Sequence, residues 1–172
     1  MRIGLRPRLA LVFASGVIFS PATPARAQGV PPLARAEDAK AQAADFFAQL
    51  KHNPHVVTTS SGLRYEIIKQ GHGGYPRAID IVRVNYTGTL LDGTVFDSTL
   101  QPRTPGAAPQ PVEFELDQVI DGWTEGIQRI NKGGTIKLYI PASLAYGDQG
   151  RPRIPPGSTL IFQIELLDIK RP

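Results

Sequence analysis

The sequence predicts an α+β domain in which an antiparallel sheet of five or six strands packs around one short helix. Two observations predict it. From Leu63 onward apolar residues recur at every second position in several short runs separated by turn residues, the signature of half-buried strands. One stretch breaks that rhythm: Trp123, Ile127 and Ile130 recur at intervals of four and three, on one face of a short helix.

Taken in order, Gln28–Ala36 is rich in Pro and Ala and reads as a flexible leader. Residues 37–51 have helical composition, with Ala41, Ala44, Phe47 and Leu50 as a thin apolar stripe, and Asn53-Pro54 stops the helix. Such a helix is marginal alone, so it packs on the main domain or pairs with a second copy. Leu63, Tyr65 and Ile67 begin the first alternating strand, opposite Arg64, Glu66 and Lys69. Gly71–Pro76 is a turn. Ile79–Leu91 is a longer strand with Ile79, Ile81, Val84 and Tyr86 as packing residues, and Asp92-Gly93 turns the chain back into Val95-Phe96-Asp97. Four prolines make Leu100–Pro111 an exposed loop.

Val112–Leu116 alternates cleanly and leads into the helix, for which Asp121 is the expected N-cap. Gly122 and Gly126 are poor helix formers, which implies a close neighbour. Lys132-Gly133-Gly134 ends the helix. Thr135–Ile140 is the next strand, stopped by Pro141. Tyr146–Ser158 is turn-rich. Thr159–Ile169 closes the chain, with Leu160, Phe162, Ile164 and Leu166 on one face.

The first 27 residues read as an export leader: Arg2, Arg6 and Arg8 precede an apolar run, Leu9–Phe19, that is too short to span a bilayer, and Ala25-Arg26-Ala27 suits a signal peptidase. Cleavage after Ala27 places residues 28–58 as a leader and short helix, and 59–172 as the main domain. Of 19 basic residues four lie in the leader, so the remainder balances the 15 acidic ones, and the basic character of the whole chain gives no support to nucleic-acid binding. A chain with no cysteine has no disulfides, thiolate ligands or lipoprotein anchor.

Elimination narrows the chemistry. His52, His55 and His72 show no metal-ligand spacing, so no metal is expected. Ser143 is not in a nucleophile elbow, and Gly71-His72-Gly73-Gly74 lacks the lysine of a phosphate loop. What remains is an aromatic and aliphatic set near turns (Tyr86, Phe96, Phe114, Val119, Ile120, Trp123, Tyr146, Phe162), with Asp97 beside it. Such a set suits either ordinary core packing or an apolar pocket for a peptide or small molecule.

Residues 62–169 resemble the FKBP-type peptidyl-prolyl cis-trans isomerases in a series of ordered blocks: Val84-Asn85-Tyr86-Thr87-Gly88, Gly93-Thr94-Val95-Phe96-Asp97-Ser98, Val119-Ile120-Asp121-Gly122-Trp123, Ala145-Tyr146-Gly147, Pro155-Pro156 and Thr159-Leu160-Ile161-Phe162. The lead-in, Thr59–Tyr65, is similar to exported bacterial members. The resemblance implies a curved half-barrel wrapped on the helix and isomerisation of X-Pro bonds in unfolded or partly folded exported polypeptides, without a cofactor. It implies a periplasmic address and, in many members, macrolide binding. By resemblance Trp123 is the pocket floor, and Tyr86, Phe96, Val119, Ile120 and Phe162 are its walls. The Ile120 amide takes a substrate carbonyl, and Asp97 and Tyr146 supply polar contacts. Val112 and Phe114 complete the substrate-binding set, with Val112 standing where an aromatic is often found. Arg151 and Arg153 lie in the rim loop. For Asp97 a local cap or an ion pair with an arginine is the alternative role. A monomer, or a weak dimer through residues 37–51, is expected. The alternative in a different class is a chaperone or peptide-binding module with the same fold and little isomerase activity.

Overall fold

The computed structural model describes residues 32–101, 108 and 110–172, with side chains from Ala36 onward. The export leader and most of the Leu100–Pro111 connection lie outside the described residues. The elements follow in the order α1 (Pro32–Leu50), β1 (Val57–Thr58), β2 (Arg64–Lys69), β3 (Ile81–Thr89), β4 (Val95–Ser98), β5 (Val112–Glu115), α2 (Asp121–Ile127), β6 (Thr135–Ile140), a 3₁₀ turn (Ala142–Leu144) and β7 (Leu160–Lys170).

All strand pairings are antiparallel, and the sheet runs β1-β2-β6-β7-β3-β4. The central strand is β3. It pairs with β7 along one edge, while β5 (Ile81–Val84) and β4 (Thr87–Thr89) divide the other. The expected antiparallel α+β architecture holds. Among the described residues the count is seven strands, because the two-residue β1 adds to β2.

Alternation sets the two faces. Val82, Val84 and Tyr86 of β3, Ile136, Leu138 and Ile140 of β6, and Leu160, Phe162, Ile164 and Leu166 of β7 are buried on the face that α2 covers, with Trp123, Ile127 and Ile130. The small residues of α2 explain how near it comes. A Cβ at Gly122 would stand 2.5 Å from Ile140 Cγ2, and one at Gly126 2.5 Å from Leu138 Cδ2. The close neighbour implied by the two glycines is therefore β6.

α1 covers the opposite face. Tyr139 is buried there against Phe46 at 5.8 Å between ring centroids, and the Arg64 guanidinium lies 3.8 Å over the Phe47 ring. Lys40 pairs with Asp148 at 3.1 Å. α1 thus packs on its own domain.

Local details depart from the sequence reading for identifiable reasons. α1 is helical from Pro32, the first described residue, so residues 32–36 of the expected flexible leader are helical. The apolar stripe of α1 centres on Ala36 and Phe47, and Ala41 and Ala44 face outward. Asp121 is the first helical residue and not the cap: Ile120 holds the cap position with φ −61° and ψ 146°, and no side chain bonds there. α2 ends at Ile127, before the Lys132-Gly133-Gly134 turn, although Ile130 remains fully buried. Ile79 is 55% exposed, because β3 begins only at Ile81 and buries its even-numbered residues. Ile68 is the extra residue of a register shift in β2 and is exposed; the shift brings Lys69, opposite Thr135, onto the same face as Arg64 and Glu66, as expected, whereas Ile67 beside it is 38% exposed and not packed.

Candidate active site

A cavity of about 500 Å³ opens between the covered sheet face and the start of α2. Tyr86 (β3), Phe96 and Asp97 (β4), Phe114 (β5), Gln118, Val119 and Ile120 (the turn before α2), Trp123 (α2), Ala145, Tyr146 and Arg151 (after β6) and Phe162 (β7) line it. Nine of the ten site residues expected from sequence thus meet in one hollow. Val112 does not line it; paired with Val84 at the start of β5, it stands two residues before Phe114, which takes the wall position.

The floor is an aromatic box. The Trp123 indole is 4% exposed and meets three rings nearly edge-on: Tyr86 at 5.0 Å and 83°, Phe162 at 5.1 Å and 85°, and Phe114 at 5.5 Å and 90°. Edge-to-face rings satisfy the aromatic quadrupole and fix each other's orientation. Phe96 extends the box by meeting Phe162 at 5.4 Å and 88°. Gly88 makes that pair possible. It lies opposite Phe162 in the β3–β7 register, and a Cβ there would be 2.6 Å from Phe96 Cζ and 2.7 Å from Phe162 Cε1. The Trp123 Nε1–H is buried and has no acceptor among the described residues.

Few polar groups reach the hollow. The Tyr86 hydroxyl donates to Asp97 Oδ2 at 2.5 Å, while Asp97 Oδ1 accepts the Ser98 N–H at 3.0 Å. The α2 start is held by backbone bonds from Trp123 and Thr124 to the Ile120 carbonyl (2.8 and 3.2 Å), and by Thr124 Oγ1 donating to the Leu116 carbonyl at 2.6 Å. The Ile120 N–H itself has no acceptor among the described residues. On the rim, the Arg151 guanidinium stacks 4.8 Å from the Tyr146 ring centroid.

Gln118, Ala145 and Arg151 were not assigned to the lining from sequence. Ala145 and Gln118 were findable as neighbours of Tyr146 and Val119. Arg151 was visible only as a charge in the rim loop, since side-chain direction inside a turn has no period to read.

No group of His, Cys, Asp or Glu among the described residues is arranged to hold a metal ion, and no helix among them is long and apolar enough to cross a membrane. The three histidines are exposed. The site is therefore a hollow with aromatic and aliphatic walls, where the sheet packs on α2, and its lining also holds the Asp97 carboxylate, the Tyr86 and Tyr146 phenols, Gln118, the Arg151 guanidinium and the Ile120 backbone. That combination suits a ligand with a compact apolar part.

Comparison with known proteins gives this fold and site a family. The family model described as FKBP-type peptidyl-prolyl cis-trans isomerase matches residues 73–167, and the model of the domain amino terminal to it matches residues 25–67. The chain belongs to the FKBP-type peptidyl-prolyl cis-trans isomerase family. It is 47% identical over 135 residues to the isomerase FkpA of Escherichia coli K12, covering 78% of this chain and 48% of that protein. To the outer membrane protein MIP of Legionella longbeachae it is 45% identical over 139 residues, covering 80% and 57%. The crystal structure of Escherichia coli FkpA superposes with a TM-score of 0.75 at 46% identity, covering 81% of this chain and 62% of that one. A peptidyl-prolyl isomerase from Pseudomonas syringae pv. tomato superposes at 0.69 with 34% identity, covering 79% and 96%. The chain spans about half the length of the curated relatives it matches.

Proposed function

We propose that this chain catalyses cis-trans isomerisation of X-Pro bonds in unfolded or partly folded exported polypeptides. The observation that carries the proposal is the aromatic box above Trp123, whose floor and walls are apolar and whose few polar groups sit at the edge.

The barrier to rotation is about 20 kcal/mol because the twisted amide loses its resonance. The twisted form also has less charge separation, so an apolar hollow penalises it less than the planar ground state. In this account the proline ring enters between Tyr86, Phe96, Phe114, Val119 and Phe162 and rests on Trp123. The Ile120 N–H takes a substrate carbonyl, and Tyr146 and Asp97 contact the amide as it turns. Bonds made better to the twisted form than to the planar one accelerate the step. A reduction of about 4 kcal/mol corresponds to roughly a thousandfold. No nucleophile, metal or cofactor enters the scheme.

The leader pattern in residues 1–27 supports export to the periplasm. Phe46 and Phe47 pack on this chain's own sheet, which supports a monomer over a dimer through residues 37–51; solution mass with and without residues 28–58 tests it. The same hollow is the place where a macrolide would compete with substrate. The direct test of the activity is a protease-coupled assay on proline peptides. Turnover that falls with Phe96→Ala or Asp97→Leu supports the enzyme. An inactive chain that still suppresses client aggregation supports a binding module.

A further inference from the structure

Arg151 is the one cation among the described residues that line the cavity, and no carboxylate there takes it in an ion pair, which leaves it for a ligand. The loop holds it firmly. Arg151 and Ile154 exchange two backbone hydrogen bonds, each 2.8 Å, around the corner Pro152-Arg153, and Ile154 is anchored in the core. The loop's other charges are engaged elsewhere. Asp148 pairs with Lys40, and Arg153 Nη2 donates to the Val95 carbonyl at 3.1 Å, beside Phe96. No carboxylate among the described residues pairs with Arg151; its guanidinium lies on the Tyr146 ring, which lines the same cavity. Stacking on an aromatic face orders a guanidinium without using its hydrogen-bond donors, which stay available in the plane.

We infer that Arg151 selects substrates in which an acidic residue flanks the proline. The inference rests on the proposed use of the cavity for a proline ring. A ring seated on Trp123 places the neighbouring residues of the chain at the rim, and a carboxylate there can take the guanidinium in a two-bond pairing. Arg151 is exposed, so screening limits the effect: a preference of about fivefold, or roughly 1 kcal/mol, is the expected size.

The experiment compares peptides that differ only in Glu, Gln or Lys immediately before or immediately after proline. Turnover and binding are measured for the wild type, Arg151→Gln and Arg151→Glu, with binding read from the fluorescence of the single tryptophan. The expected result is a Glu-over-Gln ratio of about five at one of the two positions in the wild type. The ratio falls to about one in Arg151→Gln and with added salt, and Lys becomes preferred in Arg151→Glu. A ratio of one in the wild type at both positions, or a preference that survives both substitutions, overturns the inference while leaving isomerase activity standing. Conversely, Arg151-dependent binding of Glu peptides without turnover of any peptide sustains the inference and overturns the proposed activity.

Discussion

The Tyr86 hydroxyl donates a 2.5 Å hydrogen bond to Oδ2 of Asp97, tying the central strand to the β4 wall at the cavity edge. The bond fixes the carboxylate beside the hollow and orients the Tyr86 ring edge-on to Trp123. A hydrogen bond to a charged acceptor contributes about 1.5–3 kcal/mol. Tyr86→Phe should therefore lower stability by about that much in urea unfolding. Asp97→Leu should reduce kcat/KM about tenfold or more. If Asp97→Leu costs stability and leaves turnover intact, Asp97 serves only as a strut.

Gly88 is the position on which the shape of the wall depends. Ala there puts a methyl 2.6 Å from Phe96 and 2.7 Å from Phe162, and neither ring can withdraw without leaving the box. Overpacking of this kind costs about 1–3 kcal/mol. The expected outcome for Gly88→Ala is that loss of stability together with a rise in KM for proline peptides.

Gly126→Ala sets two effects against each other. Alanine favours the helix over glycine by about 1 kcal/mol. Its methyl, however, would stand 2.5 Å from Leu138 Cδ2, and the overpacking penalty is the larger of the two. Net destabilisation is expected in a thermal melt. Combining it with Leu138→Ala should give less than the sum of the two single losses, since the second change makes room for the first.

Acid should weaken the fold through Asp80. This carboxylate is fully buried at the entry to β3 and accepts Arg77 Nη2 at 2.7 Å, Nε at 3.1 Å and the Arg77 backbone N–H at 2.9 Å. The Arg77 side-chain bonds, then the backbone bond, hold its pKa below the ordinary carboxylate value. A group whose folded pKa is depressed stabilises the fold above its unfolded pKa, about 3.9, and loses that contribution as pH falls through the folded value. Asp168, bonded by Lys132, and Asp92, bonded by the Thr94 amide, act in the same window. Urea midpoints should therefore fall below about pH 4. Asp80→Asn should lower stability at pH 7 and make the acid slope shallower without abolishing it.

The sheet was legible where burial follows a period. β4, β6 and β7 lie within a residue of their expected bounds, although the pairings of β4 and β7 with β3 each carry a register shift. Ile79 was misleading because a turn precedes β3, and Ile67 because it stands beside a bulge; an isoleucine carries no sign of either. Asp121 looks like a cap in sequence. Its place one residue inside the helix is decided by Ile120, whose extended backbone meets the end of the turn from β5. Nine of the twelve lining residues were expected from sequence, eight of them within ordered motifs, whereas Val112 and Phe114 share one alternating strand face and the sequence does not say which reaches the hollow.

The central claim is that the hollow above Trp123 accelerates rotation about X-Pro. Exchange between cis and trans forms of a short proline peptide, followed by magnetization-transfer NMR with catalytic amounts of the chain, reads that step without a coupling protease. Uncatalysed exchange takes tens to hundreds of seconds. The account predicts exchange within about a second or faster for the wild type, and a return toward the uncatalysed rate in Phe96→Ala. Exchange that stays at the uncatalysed rate while the wild type demonstrably binds the peptide would contradict it.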